Sequence, residues 1–280
     1  MRSPVSHPRI RSIPGLAIGV IGCGKMGQAL LKGLMDCGVP RQRLRSADPD
    51  AAARRAVSRR LRLLVNDDNA AVVRRSNVLI LAVKPQQLSN VIAEIAPSLT
   101  RRHLVISIAA GITLGWLRRR LRGIPLVRVM PNLPATVGCG FSAITYGSGV
   151  SRRQRTIAKA IFEAVGIVAE LPERYFDAVT AVSGSGPAYV FFLIHAWEEA
   201  ARALGLPPAV AERAIRETLA GSACLLQGSG EPALSLMKQV ASKGGTTEAA
   251  LSVLAKRRVE SHFREALRAA AHRSHQLSWS

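Results

Sequence analysis

Between Leu16 and Leu171 the chain alternates short aliphatic runs with amphipathic stretches, and beyond Pro172 the short runs stop. The runs are LAIGVIG (16–22), RLRSAD (43–48), RLLV (62–65), VLILAV (78–83), HLVISI (103–108) and PLVRVM (125–130), and a helical pattern at 152–165 leads to a last one, GIVAEL (166–171). Apolar runs this short, rich in Val, Ile and Leu, are buried strands, and strands separated by helices build a parallel sheet covered on both faces. The expected fold class is therefore α/β: a doubly wound, mostly parallel sheet over residues 15–172, followed by an all-α domain over 173–280.

Helices are expected at 175–205, 208–227, 231–241 and 246–275, punctuated by Gly205, Pro207 and Gly228. The first is apolar on most faces and interrupted by Gly184, Gly186 and Pro187. A helix that apolar needs partners on more than one side, so an intertwined homodimer through this half is expected. Residues 1–14 are basic and free of acids, but Pro4, Pro8 and Pro14 forbid an amphipathic targeting helix, which leaves a frayed tail.

Of 280 residues, 39 are Lys or Arg and 18 are Asp or Glu, a formal net charge of +21. The excess lies entirely in residues 1–162, which hold 27 basic and 6 acidic side chains. A basic surface concentrates polyanions, whether a dinucleotide or a nucleic acid. Runs such as Arg118–Arg120 instead follow apolar helix positions as a solvated face does, and that half lacks a recognition helix or interleaved aromatics. No nucleic-acid partner is expected. Cys23, Cys37, Cys139 and Cys224 are scattered, with no CxxC or Cys/His cluster, so the chain reads as a reduced, cytoplasmic protein without a metal site. The longest uncharged run, Val129–Ser151, contains Pro131, Pro134 and four glycines, and no membrane-spanning helix is expected.

Gly22-Cys23-Gly24-Lys25-Met26-Gly27 follows the first strand directly and opens a helix. In that context the glycines let the backbone approach a pyrophosphate, which the helix N-terminus then stabilises. Asp48, ending the second strand, has two readings. It would hydrogen-bond the adenosine ribose and favour NADH, or it is the turn residue of Asp48-Pro49-Asp50, while Arg45, Arg54 and Arg55 are near enough in sequence to take a 2′-phosphate. Cofactor preference stays open between NADPH and NADH. Ala82-Val83-Lys84-Pro85 and Ile108-Ala109-Ala110-Gly111 end the fourth and fifth strands, where ligands of open parallel sheets bind. Two further segments combine glycine, proline and hydroxyls as ligand loops do: Met130–Ala135, with Asn132 as a cofactor-binding position, and Ser242-Lys243-Gly244-Gly245-Thr246-Thr247. The second offers either an anion nest for a carboxylate or a helix cap with a flexible entry.

Taken in order, VIGCGKMGQAL, LAVKPQ, SIAAGITL, VRVMPNLPA, VSGSGPAYVFF and VASKGGTTEAAL closely resemble the pyrroline-5-carboxylate reductases from about Leu16 to the last helix. The resemblance implies a Rossmann-type N-terminal domain and a helical domain that dimerises by swapping long helices, often in rings of dimers. It also implies reduction of 1-pyrroline-5-carboxylate to L-proline by NADPH or NADH, the last step of proline biosynthesis. By the same resemblance Gly22 to Gly27 would bind pyrophosphate, Asn69 would approach the adenosine end, and Ala82 to Pro85 with Ile108 to Ala110 would line the nicotinamide half. Glu173, Gln239, Ser242, Gly244, Gly245, Thr246 and Thr247 fall at substrate positions. Leu133 stands where the family often has Thr, Gln239 where some members have Asn and Lys243 where many have Pro, and Lys243 puts a cation beside the presumed carboxylate nest.

Hydride transfer to a cyclic imine asks mainly that two rings be positioned and a carboxylate held. None of the six histidines lies in a pocket motif, and His195, inside an apolar helix, reads as a core residue. Thr247 is the candidate catalytic residue, because a hydroxyl both accepts and donates without titrating near neutral pH. The competing expectations are a 3-hydroxyacid dehydrogenase, which needs a lysine on the long helix where residues 175–205 have none, and a cofactor-sensing or nucleic-acid-binding protein.

Overall fold

The computed structural model describes residues 15–279, so the tail at 1–14 lies outside the described residues. The chain runs β1 (Ile18–Ile21), α1 (Lys25–Asp36), β2 (Leu44–Ala47), α2 (Ala51–Leu61), β3 (Val65–Asn66), α3 (Asn69–Arg74), β4 (Val78–Leu81), α4 (Pro85–Ile95), β5 (Leu104–Ser107), α5 (Leu114–Arg120), β6 (Leu126–Pro131), β7 (Gly140–Tyr146), α6 (Arg152–Glu163) and β8 (Gly166–Glu170). The helical part follows with α7 (Phe176–Val179), α8 (Gly186–Ala203), α9 (Pro208–Ser229), α10 (Ala233–Val240), α11 (Thr246–Lys256) and α12 (Val259–Gln276). The strands form one sheet in the order β3-β2-β1-β4-β5-β6-β7-β8. All neighbours are parallel except β6 and β7.

Strand β4 shows why the apolar runs are continuous rather than alternating. Val78 and Ile80 belong to the core on one face, with Leu30, Leu34, Ile161 and Phe162, while Leu79 and Leu81 belong to the core on the other, with Leu88, Ile92, Trp116 and Leu117. A strand buried on both sides has no polar face to reveal its period. The chain moves from β1 outward to β2 and β3, then crosses to β4 on the other side. The carboxyl ends of β1 and β4 therefore flank the crevice where such sheets bind ligands.

Four details differ from the sequence expectation. Strand β7 is absent from the expected apolar runs, because the glycines and prolines before it mask its pattern; it pairs antiparallel with β6 through the 3₁₀ turn Leu133–Val137. The helix expected at 175–205 is interrupted by a wide π-helical turn at Thr180–Gly184. The helix expected at 246–275 divides into α11 and α12 at Arg257 and Arg258, the latter in the left-handed region at φ 53°. The stretch Glu173–Ala203 contains an 18-residue window of mean hydropathy 1.3 and is long and apolar enough to cross a bilayer by length and composition alone, against the expectation of no such segment.

The described residues divide into two compact units: those up to Ser185 together with those from Ala270 onward, and Gly186–Ala269. The first thus extends past the boundary expected at 172 and takes back the chain's end. That end is held within the first unit by Trp279, whose N–H donates to the Gly111 carbonyl at 2.8 Å and whose carbonyl accepts from Thr113 Oγ1 at 2.9 Å. The Trp279 ring meets Trp116 edge-on at 5.7 Å. In the second unit the buried core consists of Ala201, Ala211 and Ile215, flanked by Ile194 and Leu219. His195 is exposed there rather than buried in a core.

Candidate active site

The glycine loop is shaped by its backbone. Gly22 sits at φ +101°, and a Cβ there would come within 2.7 Å of the Ala82 carbonyl oxygen, so neither conformation nor space admits a side chain. A Cβ on Gly27 would strike the Gly22 carbonyl oxygen, whereas one on Gly24 would meet open space. Gly24 is the N-cap of α1 and supplies no side-chain cap, which leaves the first-turn N–H groups available to an anion. The Cys23 side chain points inward to Ser46 Oγ at 3.1 Å, and burial pushes its thiol pKa up, with the Asp48 charge adding to the rise against the Ser46 hydrogen bond.

Asp48 turns out to serve the loop and the turn together. Its Oδ2 accepts from the Cys23 N–H at 2.7 Å and its Oδ1 from the Asp50 N–H at 2.9 Å. Beyond it opens a cleft of about 450 Å³ that gathers Gly22, Gly24, Asp48, Asn69, Ala82, Val83 and Lys84 of the expected cofactor residues. Asn69 is buried and donates through Nδ2 to Glu94 Oε2 at 2.8 Å, while its Oδ1 has no partner among the described residues. Asn69 is thus a cleft-lining residue with a buried acceptor still to be satisfied, which suits a site completed by a ligand donor such as an adenine amine. Open space at Gly24, an uncapped helix start and this orphaned oxygen together fit a dinucleotide.

Other expected residues lie elsewhere. Lys25 lines a separate basic hollow with Lys32 and Arg60, and Met26 packs on the core. Pro85 is the first residue of α4. Ile108, Ala109 and Ala110 follow β5, with Ala109 buried, but are not in the walls of the cleft at Asp48. Asn132 is spent inside the protein, donating to Ser183 Oγ at 3.0 Å and accepting from the Phe141 N–H at 2.9 Å. Glu173 likewise holds structure: its Oε1 accepts from the Leu114 N–H and from Arg128 Nη1, each at 2.8 Å, and the Arg128 guanidinium lies over the Phe176 ring.

In the second unit, Gly245 is the N-cap of α11 and Thr246 and Thr247 begin the helix, with Thr247 half-buried. Gly244, at φ +71°, donates its N–H to Glu248 Oε2 at 2.6 Å, so the chain's own carboxylate already occupies part of the nest. Gln239 donates to Glu231 Oε2 at 2.6 Å. Ser242 lies at the entry, where its carbonyl accepts from the Gly245 N–H at 3.0 Å.

Residues 17–111 match the family model described as NADP oxidoreductase, coenzyme F420-dependent, and residues 173–277 match that for pyrroline-5-carboxylate reductase dimerisation. A pyrroline-5-carboxylate reductase of Synechocystis is 40% identical over 94% of this chain and 98% of its own. The chain belongs to the pyrroline-5-carboxylate reductase family. Among solved structures, the Coxiella burnetii reductase superposes with a TM-score of 0.88 at 32% identity, over 95% of this chain and 99% of that one. The Plasmodium falciparum reductase, solved with NADP bound, gives 0.86 at 28% identity, over 95% and 99%.

Within this reductase, sequence reasoning overlooked Asp50, Asp67, Gln87, Asn90 and Glu94 in the cleft walls. A signal existed for three of them. Residues 87, 90 and 94 recur at helical spacing after Lys84-Pro85, which places them on one face of α4.

Proposed function

We infer that the protein reduces 1-pyrroline-5-carboxylate to L-proline with NADH or NADPH, the last step of proline biosynthesis. The observation that carries this is 40% identity to a named reductase across 94% of the chain, joined to a glycine loop shaped for a dinucleotide. When bound, the reduced nicotinamide supplies the hydride. The residues of the first unit assigned to it are Gly22 to Gly27 for the pyrophosphate, Asn69 for the adenosine end, and Ala82 to Pro85 with Ile108 to Ala110 for the nicotinamide half. Asn132, tied to Phe141 and Ser183, is proposed to hold the wall of that half rather than to touch the cofactor.

In the second unit, Thr246, and Gly244 once Glu248 yields its place, offer N–H groups to the substrate carboxylate at the start of α11, while the Gly245 N–H stays on the Ser242 carbonyl and holds the turn. Ser242 and Gly244 shape the nest, and Gln239 adds an amide. Glu173 is assigned to substrate through Oε2, the oxygen not used by Leu114 and Arg128. The imine nitrogen is positive when protonated and becomes a neutral amine as the hydride arrives. The Thr247 hydroxyl can accept a hydrogen bond before transfer and donate one after it.

The exposed apolar residues of α8 and α9, among them Phe191, Phe192, Trp197 and Leu226, are proposed to be covered by a second copy of the chain, with rings of dimers as the higher assembly. That reading also accounts for the hydropathy of Glu173–Ala203 without a membrane. The free thiols of Cys23, Cys37 and Cys139 accord with a cytoplasmic location. The test is loss of NADH or NADPH absorbance on adding 1-pyrroline-5-carboxylate, with L-proline identified as product. Turnover of a 3-hydroxyacid with oxidised cofactor in its place would overturn the reading.

A further inference from the structure

The adenosine end of the cleft carries an unusual charge for so basic a chain. Although the basic excess of the whole protein lies in residues 1–162, the walls here hold Asp48, Asp50, Asp67 and Glu94 against a single cation, Lys84. In folds of this kind the group at the end of the second strand meets the adenosine ribose, where an acid hydrogen-bonds a 2′-hydroxyl and an arginine accommodates a 2′-phosphate. Asp48 occupies that position, and its carboxylate is fixed to the glycine loop by the Cys23 N–H at 2.7 Å. Each of its oxygens keeps a further lone pair for a hydroxyl donor.

The arginines that could receive a 2′-phosphate are committed elsewhere. Arg54 Nη1 donates to the carbonyls of Asp48 at 3.0 Å and Pro49 at 2.9 Å, and its Nη2 stands 3.8 Å from Asp67 Oδ2. Arg45 Nη1 donates to the carbonyls of Gln42 and Leu44, and Arg45 lines a different cleft with Arg41, Arg62 and Arg75. Arg55 is exposed and is not in the walls of the cofactor cleft. A 2′-phosphate, with close to two negative charges at neutral pH, would meet fixed carboxylates and no uncommitted guanidinium in those walls.

We propose that Asp48, reinforced by Asp50 and Asp67, makes this reductase select NADH over NADPH, with Arg54 acting as a brace for the Asp48–Pro49 turn rather than as a phosphate ligand. This rests on the cofactor assignment above and goes beyond it, since the chain then departs from the relative solved with NADP.

The test is equilibrium binding of NADH and of NADPH to the full-length protein without substrate, read from nicotinamide fluorescence. NADH should bind at least about tenfold more tightly, equivalent to about 1.4 kcal/mol, and the gap should narrow as salt screens the carboxylates. Asp48→Ser keeps a hydroxyl for the ribose and should close most of the gap by tightening NADPH. Asp67→Asn, at an exposed site, should close part of it and guards against a disturbed glycine loop in the first variant. Equal affinity of the parent for the two cofactors, or an unchanged ratio in both variants, would overturn the selectivity. A selective loss of NADPH binding in Arg54→Ala would overturn it too, by making Arg54 a phosphate ligand. Binding of neither cofactor would instead defeat the cofactor assignment on which the proposal stands.

Discussion

Strands β1, β4 and β5 are enclosed from both faces, whereas helices α8 and α9 share a buried core of three residues and leave Phe192 and Val210 74% and 54% exposed. The two units therefore stabilise themselves by different means. In the first, apolar area is removed from water within the chain, and each buried side chain contributes as a core residue does. In the second, most of that area remains to be covered by another copy, so the stability of this unit is linked to protein concentration.

The contrast can be broken most sharply in the cores. Ile80→Ala, at a fully buried site in β4, should cost about 2–5 kcal/mol at every protein concentration. Phe192→Ala should lower the melting temperature more on dilution than in concentrated solution, because its cost falls on the dimer. Melting curves at two concentrations check both, and a concentration-independent loss for Phe192→Ala would erase the distinction. A division of labour between the units predicts the next effect. Thr247→Ala should lower kcat/KM by roughly 10 to 150-fold, the worth of one hydrogen bond to a charged group. NADH affinity should be unchanged and Thr247→Ser should retain most activity; parental activity in the alanine variant would reduce the hydroxyl to a structural one.

Smaller effects probe the first unit's hold on the chain end. Trp279→Ala keeps the backbone hydrogen bonds to Gly111 and Thr113 but loses the ring contact with Trp116, worth about 0.5–1.5 kcal/mol beyond area burial. Amide exchange should quicken over Gly111–Leu117 and stay unchanged over α9. The smallest effect is chemical. Cys139 is exposed and should alkylate readily, whereas Cys23, buried with a raised pKa, should resist until alkaline pH. The folded state favours the neutral Cys23 thiol, so its contribution to stability is complete below the ordinary thiol range and is lost as pH rises through the raised value.

Much of the first unit was legible because its signals are local. A buried parallel strand announces itself as an apolar run, and the glycine pattern carries its meaning once a strand precedes it and a helix follows. Strand β7 escaped because the glycines and prolines ahead of it interrupt the apolar pattern, and its partner β6 is reached only through a tight 3₁₀ turn. The break between α11 and α12 escaped because Arg258 adopts a left-handed conformation that nothing in its residue type announces. Of the site residues, Gly22, Gly24, Asp48, Asn69 and Lys84 came together in one cleft, while Glu173 and Asn132 proved committed to internal partners no spacing could have named.

The sequence by itself determined the α/β class, the order of strand and helix apart from β7 and the α11–α12 break, the glycine loop and the family, since each is carried by short runs of neighbouring residues. Only the tertiary structure decided what Asp48 does. Its two oxygens are claimed by the N–H groups of Cys23 and Asp50, one of them 25 residues away, and Arg54 is folded onto the carbonyls beside it. Hydrogen-bond partners at such separations are set by how strands pair and where their loops emerge, and charges gathered from β2, β3 and α4 act as one field only after the sheet has brought their ends together.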